Sequence, residues 1–275
     1  MKKSFKYVML LGLTLGLVAC GKAEESKKEE KPKEDKIIKV ASQAPPMTDI
    51  VNVAKEEAKK DGWDVELVQV TDNIQYNEML KSKEVDANFA QHKPYMMKFN
   101  QEKEANLVVI QPIYNAKVGY YSKDYKSVDE IPDKAKIAIP SDVSNEGRAL
   151  AILNEQGLIT LKEGVGFNGT LKDIEKNPKQ IEFLSVDLLN LAEAYNEKDV
   201  AMVYNYPAYI AKVGLTPDDA ILLENTVDER FAISLVARED NQDSDKIKAL
   251  KKAMTSKAVK EYIEKEHSKT AIPAF

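Results

Sequence analysis

The chain has 275 residues, 43% hydrophobic and 31% charged, enough for one large domain or two lobes and too apolar for general disorder. A formal charge of −5 excludes the electrostatic footprint of a nucleic-acid binder. A single cysteine excludes an internal disulfide framework, and 12 Tyr against 7 Phe favour half-buried rings with a wet edge.

At the N-terminus Lys2, Lys3 and Lys6 precede an apolar run from Val8 to Ala19, too short to span a bilayer comfortably. This is the layout of a signal peptide over residues 1–19. The run ends in Leu17-Val18-Ala19-Cys20-Gly21, which resembles the lipobox of bacterial lipoproteins. Cys20 is then the expected lipidation site, carrying diacylglycerol and fixing the chain to the extracytoplasmic face of the cell membrane. Cleavage removes three lysines and no acid, so the mature chain is more acidic than the precursor. Residues 20–36 carry mixed charge and no aromatic or branched aliphatic side chain, the composition of a flexible tether.

From residue 37 onward, short apolar runs alternate with helical periodicities. Strands are predicted at 37–42, 64–70, 85–90 and 106–114, with helices at 47–60, 74–82 and 94–102 between them. A second series follows: strands at 117–122, 136–140, 181–186 and 200–205, and helices at 145–156 and 188–196. A last strand at 231–237 precedes two charged amphipathic helices, 243–254 and 256–266. Alternation of this kind argues for α/β architecture in two lobes, residues 37–115 plus 225–275 and residues 116–224.

Ligands of open parallel sheets gather at the carboxyl ends of strands. One such end is FAQHKPY, where Pro94 suits the first helical position and leaves Gln91, His92 and Lys93 in the turn. Another is IAIPSDVSNEGRALAIL, residues 137–153, with Ser144 as the expected N-cap before Asn145. Arg148 stands one turn into that helix. Its planar fork suits a carboxylate ligand and equally a surface pair with Glu146 or another acid, and spacing alone leaves both open.

Catalytic signatures are absent from the sequence: no GxSxG elbow, no HExxH and no phosphate-cradling glycine loop. His92 and His267 lie far apart, which argues against zinc, and His267 is expected to be solvated in its terminal helix. Met96-Met97 reads as helix packing. A hydrolase built on His92 would need a nucleophile or metal that the sequence does not offer.

The lipobox, DAN-x2-QHKPY (86–95), P-x-D-x-SN-x-GRAL (140–150), GLI-x-LK-x-GVG (157–166) and GLTP (214–217), in this order, resemble the methionine-binding lipoprotein (MetQ/NlpA) family. The resemblance implies a two-lobed periplasmic-binding-protein fold of the second type. Each lobe would be a mixed, mostly parallel sheet flanked by helices, with the ligand in the interlobe cleft. It implies a non-enzymatic monomer without cofactor or metal that delivers methionine, or a related amino acid or short peptide, to an ABC permease with two ATPase subunits. Arg148 would hold the ligand carboxylate, and His92, Tyr95 and Asn145 would line the pocket. A surface adhesin with a vestigial cleft is the alternative role.

Several positions depart from the family pattern. The family reads DAN-A-F-QH where this chain has DAN-F-A-QH, an exchange that sends neighbouring side chains to opposite faces of a strand. Phe89 is thereby expected in the core and Ala90 toward the ligand, though Phe89 is kept among the candidate lining residues. A family Tyr is replaced by Asn73, with Tyr76 as a candidate substitute. A family Asn falls at Tyr206, with Asn205 one place off, and another falls near Ile233.

Overall fold

The computed structural model describes residues 36–275. The signal peptide, Cys20 and the tether up to residue 35 lie outside the described residues.

The first series of elements runs β1 (Ile37–Ser42), α1 (Met47–Lys60), β2 (Asp64–Gln69), α2 (Gln75–Lys81), β3 (Ala87–His92), α3 (Lys93–Lys103) and β4 (Leu107–Asn115). In α1 the buried side chains Met47, Ile50, Val51, Ala54 and Ala58 recur at helical spacing. Asp49 in its first turn and Lys59 and Lys60 in its last complement the helix dipole.

A second series contains β5 (Gly119–Tyr121), β6 (Lys136–Pro140), α4 (Val143–Glu155), β7 (Thr160–Leu161), β8 (Ile174–Lys176), β9 (Glu182–Val186), β10 (Val200–Asn205), α5 (Pro207–Ile210) and β11 (Ala220–Leu223). The chain ends with β12 (Ile233–Arg238), α6 (Asp245–Met254), α7 (Lys257–Glu266) and β13 (Ile272–Pro273).

Two sheets organise the fold, with strand orders β13-β4-β12-β3-β1-β2 and β11-β5-β10-β6-β9. The β1–β2 and β1–β3 pairs are parallel, as are β6–β9 and β6–β10. The strands that follow each crossing between sheets run the other way: β5 is antiparallel to β10 and β11, and β12 is antiparallel to β3 and β4. Two connections, 116–118 and 224–232, therefore join the lobes and meet beside the cleft. No helix among the described residues is long and apolar enough to cross a membrane.

Some local expectations need correction. The segment expected as a helix over 188–196 forms a 3₁₀ helix, Leu191–Asn196. Its buried Leu191 and Ala194 are three apart, which suits three residues per turn. The short strand β11, the β7–β8 hairpin and α5 carry too few residues for a periodic signal. Asp142, and not Ser144, caps α4: its carboxylate accepts the Asn145 backbone N–H at 3.0 Å, the three-residue spacing of an N-cap bond. Gln91 and His92 end β3, and His92 itself caps α3, with Lys93 and Pro94 the first two helical residues. Met96 is buried as expected of packing, but Met97 is exposed. His267 is half-buried against Tyr262, with ring centroids 5.4 Å apart, and is not freely solvated.

Candidate functional site

A cavity lies between the two sheets at the strand-to-helix turns. From the first lobe Met47, Asn73, Tyr76, Ala90, His92 and Tyr95 line it. Asn145, Leu188, Tyr206, Ala208 and Tyr209 line it from the second. None of its lining side chains is an acid, a lysine or an arginine.

His92 sits at the junction of β3 and α3 and is 3% exposed. The Tyr95 backbone N–H donates to its Nδ1 at 3.2 Å, so the ring proton belongs on Nε2. That nitrogen donates across the cleft to Asn145 Oδ1 at 3.1 Å. Burial pushes the imidazole down to about 4. The Asn145 bond opposes this shift and the Arg148 charge adds to it, so His92 is neutral at pH 7. A neutral, doubly bonded ring fixes geometry.

Asn145 is the meeting point of the site. Its Oδ1 accepts from His92 and from the Tyr206 hydroxyl at 2.9 Å, and its Nδ2 donates to the Asp142 carboxylate. A second bond across the cleft runs from the Tyr209 hydroxyl to Gln43 Oε1 at 3.1 Å. Gln43 in turn donates to Asn73 Oδ1, and the Tyr95 hydroxyl donates to the Asn73 carbonyl at 2.9 Å. The two lobes are thus tied at His92–Asn145 and at Tyr209–Gln43.

Of the expected ligand contacts, His92, Tyr95, Asn145, Tyr76 and Asn73 come together around the cavity. Arg148, Phe89 and Asn205 do not. Phe89 packs edge-on against Tyr114, 6.0 Å between centroids, on the sheet face opposite Ala90. Asn205 is fully buried at the end of β10, where its Oδ1 accepts the Tyr206 N–H. Arg148 is fully buried, and its fork is bonded to a carboxylate of the protein. Its Nε and Nη2 donate to the two Glu224 carboxylate oxygens at 2.9 and 2.5 Å. Nη2 also donates to the Ala116 carbonyl, and Nη1 to the Tyr206 hydroxyl at 3.1 Å. Burial opposes the guanidinium charge, but the oxygens of Tyr206, Tyr204 and Glu224 outweigh it and raise the pKa above the ordinary arginine value.

The acid that pairs with Arg148 is Glu224, in the interior and not at the surface as the sequence alternative had it. Arg148 ties α4 to both connections between the lobes, through Ala116 on one and Glu224 on the other. Glu224 and Phe231, whose ring lies 4.4 Å from the guanidinium carbon, were not identified from the sequence. Glu224 is 76 positions from its partner and carries no local signal. Gln43 and Tyr209 were missed for the same reason.

The sequence pattern of the NlpA lipoprotein family matches residues 38–275. The chain is 37% identical to the methionine-binding lipoprotein MetQ of Bacillus subtilis strain 168, over 99% of each protein. Among solved structures, a YaeC-family lipoprotein from Enterococcus faecalis V583 is 54% identical, with a TM-score of 0.79 over 88% of this chain and 100% of that one. A nutrient-binding protein from Burkholderia cenocepacia, solved bound to methionine, is 34% identical with a TM-score of 0.82, over 86% of this chain and 100% of that one.

Proposed function

The chain belongs to the NlpA lipoprotein family, and we propose that it is the lipid-anchored, extracytoplasmic substrate-binding component of an ABC importer. Its lobes close over one compact, mostly apolar solute and hand it to a permease driven by ATPase subunits. The cavity at the lobe junction carries this reading, because both lobes line it and two hydrogen bonds cross it. Small-molecule sites have this form: apolar and aromatic walls with a few placed polar groups. Methionine, named for the relatives, sets the size and apolar character of the solute. Tyr76, Tyr95 and Tyr209 offer rings that can flank such a side chain. Cys20 would carry the lipid, and the charged tether would let the lobes open and close away from the membrane.

Uptake tests the role. The solute is released by denaturing the purified protein, labelled, and offered to cells with and without this chain. Accumulation is expected to fall about tenfold without the chain, and Cys20→Ser is expected to restore it poorly. Unchanged uptake in the deletion strain would sink the importer reading.

A further inference from the structure

We propose that Tyr114 is a further ligand-binding residue, whose hydroxyl donates to the carboxylate of an amino-acid solute at the Arg148 end of the cavity. This rests on the importer reading and deepens it.

Tyr114 is the last residue but one of β4, with Ile233 of β12 and Pro273 of β13 as its antiparallel neighbours. Its ring packs edge-on against Phe89, 6.0 Å between centroids, and the residue is 3% exposed. Strands on both sides and this ring contact hold it in place where it lines the cavity. Ala116, two residues on, lines the cavity too, and its carbonyl accepts from Arg148. The Tyr206 and Tyr209 oxygens of the other lobe are near enough to act on the Tyr114 phenol. Burial first, and those oxygens next, raise its pKa well above the ordinary phenol value, so it keeps its proton at pH 7.

Six side-chain hydroxyls line the cavity. Tyr206 donates to Asn145, Tyr209 to Gln43, Tyr95 to the Asn73 carbonyl and Thr270 to the His267 carbonyl. The Tyr76 hydroxyl pairs with that of Tyr95. The Tyr114 hydroxyl makes no hydrogen bond with any of the described residues. A buried O–H without an acceptor costs free energy, and a solute that brings an acceptor recovers it.

The charges around it make that acceptor an anion. Glu224 takes the Nε and Nη2 side of Arg148, so the positive end of the pair is Nη1, which bonds the cavity-lining Tyr206 hydroxyl. No acid lines the cavity to oppose a carboxylate there. A carboxylate against Tyr114 gains a charge-assisted hydrogen bond, whereas an ammonium would leave the phenol proton unpaired. The apolar part of the solute then lies along Met47, Ala90 and Leu188.

Calorimetry on the full lipidated chain in detergent, freed of endogenous solute, tests this with L-methionine and with L-methioninol, which keeps the side chain and the amine and lacks the carboxylate. Tyr114→Phe removes the hydroxyl and keeps the ring. L-methionine is expected to bind this variant about tenfold or more weakly than wild type, the effect of losing a hydrogen bond to a charged group. L-methioninol is expected to bind both proteins alike. Equal L-methionine affinity in the two proteins overturns the inference, and so does an equal loss for both ligands, which marks a packing role. Without ligand, Tyr114→Phe is expected to melt at the wild-type temperature. A clear fall, or failure to fold, shows that the protein itself depends on the hydroxyl and also overturns the inference. Binding of L-methionine to neither protein overturns it too, but leaves the importer reading standing, since uptake of the released solute tests that separately.

Discussion

Glu224→Ala is expected to destabilise the protein by about 3–5 kcal/mol, the range found when one partner of a buried ion pair is removed. For a chain of this size that corresponds to a loss of roughly 10 °C in melting temperature by calorimetry. The reason is what stays behind. Arg148 remains fully buried and charged, and its Nε and one Nη2 proton lose their acceptors. A second copy of the pair's geometry cannot form locally, because Glu146, the nearest acid in sequence, already accepts the Leu171 N–H. The double replacement Arg148→Met with Glu224→Leu removes both charges together and is expected to cost clearly less than Glu224→Ala alone. A single-mutant loss below about 1 kcal/mol would show that the pair is not the interior tie between α4 and the two connections.

Gly147→Ala is expected to cost about 3 kcal/mol, at the upper end of overpacking penalties. A Cβ at this position would stand 2.1 Å from the Phe167 carbonyl oxygen and 3.0 Å from its carbon, and both are backbone atoms that cannot rotate away. Alanine gains about 1 kcal/mol of helix propensity over glycine, so the steric loss decides the sign. The effect reaches the site, because Phe167 packs on Phe231 at 5.2 Å and Phe231 covers Arg148. Gly157→Ala is the control. Its Cβ would meet nothing within 4 Å, so only the left-handed φ of +74° is penalised, by about 1 kcal/mol. Chemical denaturation of both variants measures the difference; equal losses would contradict the close approach of α4 to the 166–168 turn.

Much of this architecture was legible because it is local. Apolar runs of strand length alternating with periodic segments mark β1 to β4 and the helices between them. The Pro94 signal brought His92 to the cleft, in a helix that starts one residue earlier than the proline suggested. The exchange of Phe and Ala at 89 and 90 was readable from the two-residue period of a strand, and Ala90 does line the cavity. The electrostatics were not legible. Whether Arg148 greets a ligand or an acid depends on Glu224, which a fold of two crossing connections brings to it from the far end of the second lobe. Tyr206 could be noted as a departure from the family asparagine, but only its hydroxyl bonds to Arg148 and Asn145 reveal what the larger side chain does.

One small, mostly apolar solute is expected between the two lobes, with its polar end met by the side chains that line the cavity. Native mass spectrometry of the gently purified protein, followed by identification of the released molecule, is the measurement that decides. One bound molecule of the size of methionine per chain is the expected result. A protein that is empty, and that gains no thermal stability from any apolar amino acid offered to it, is the opposite result.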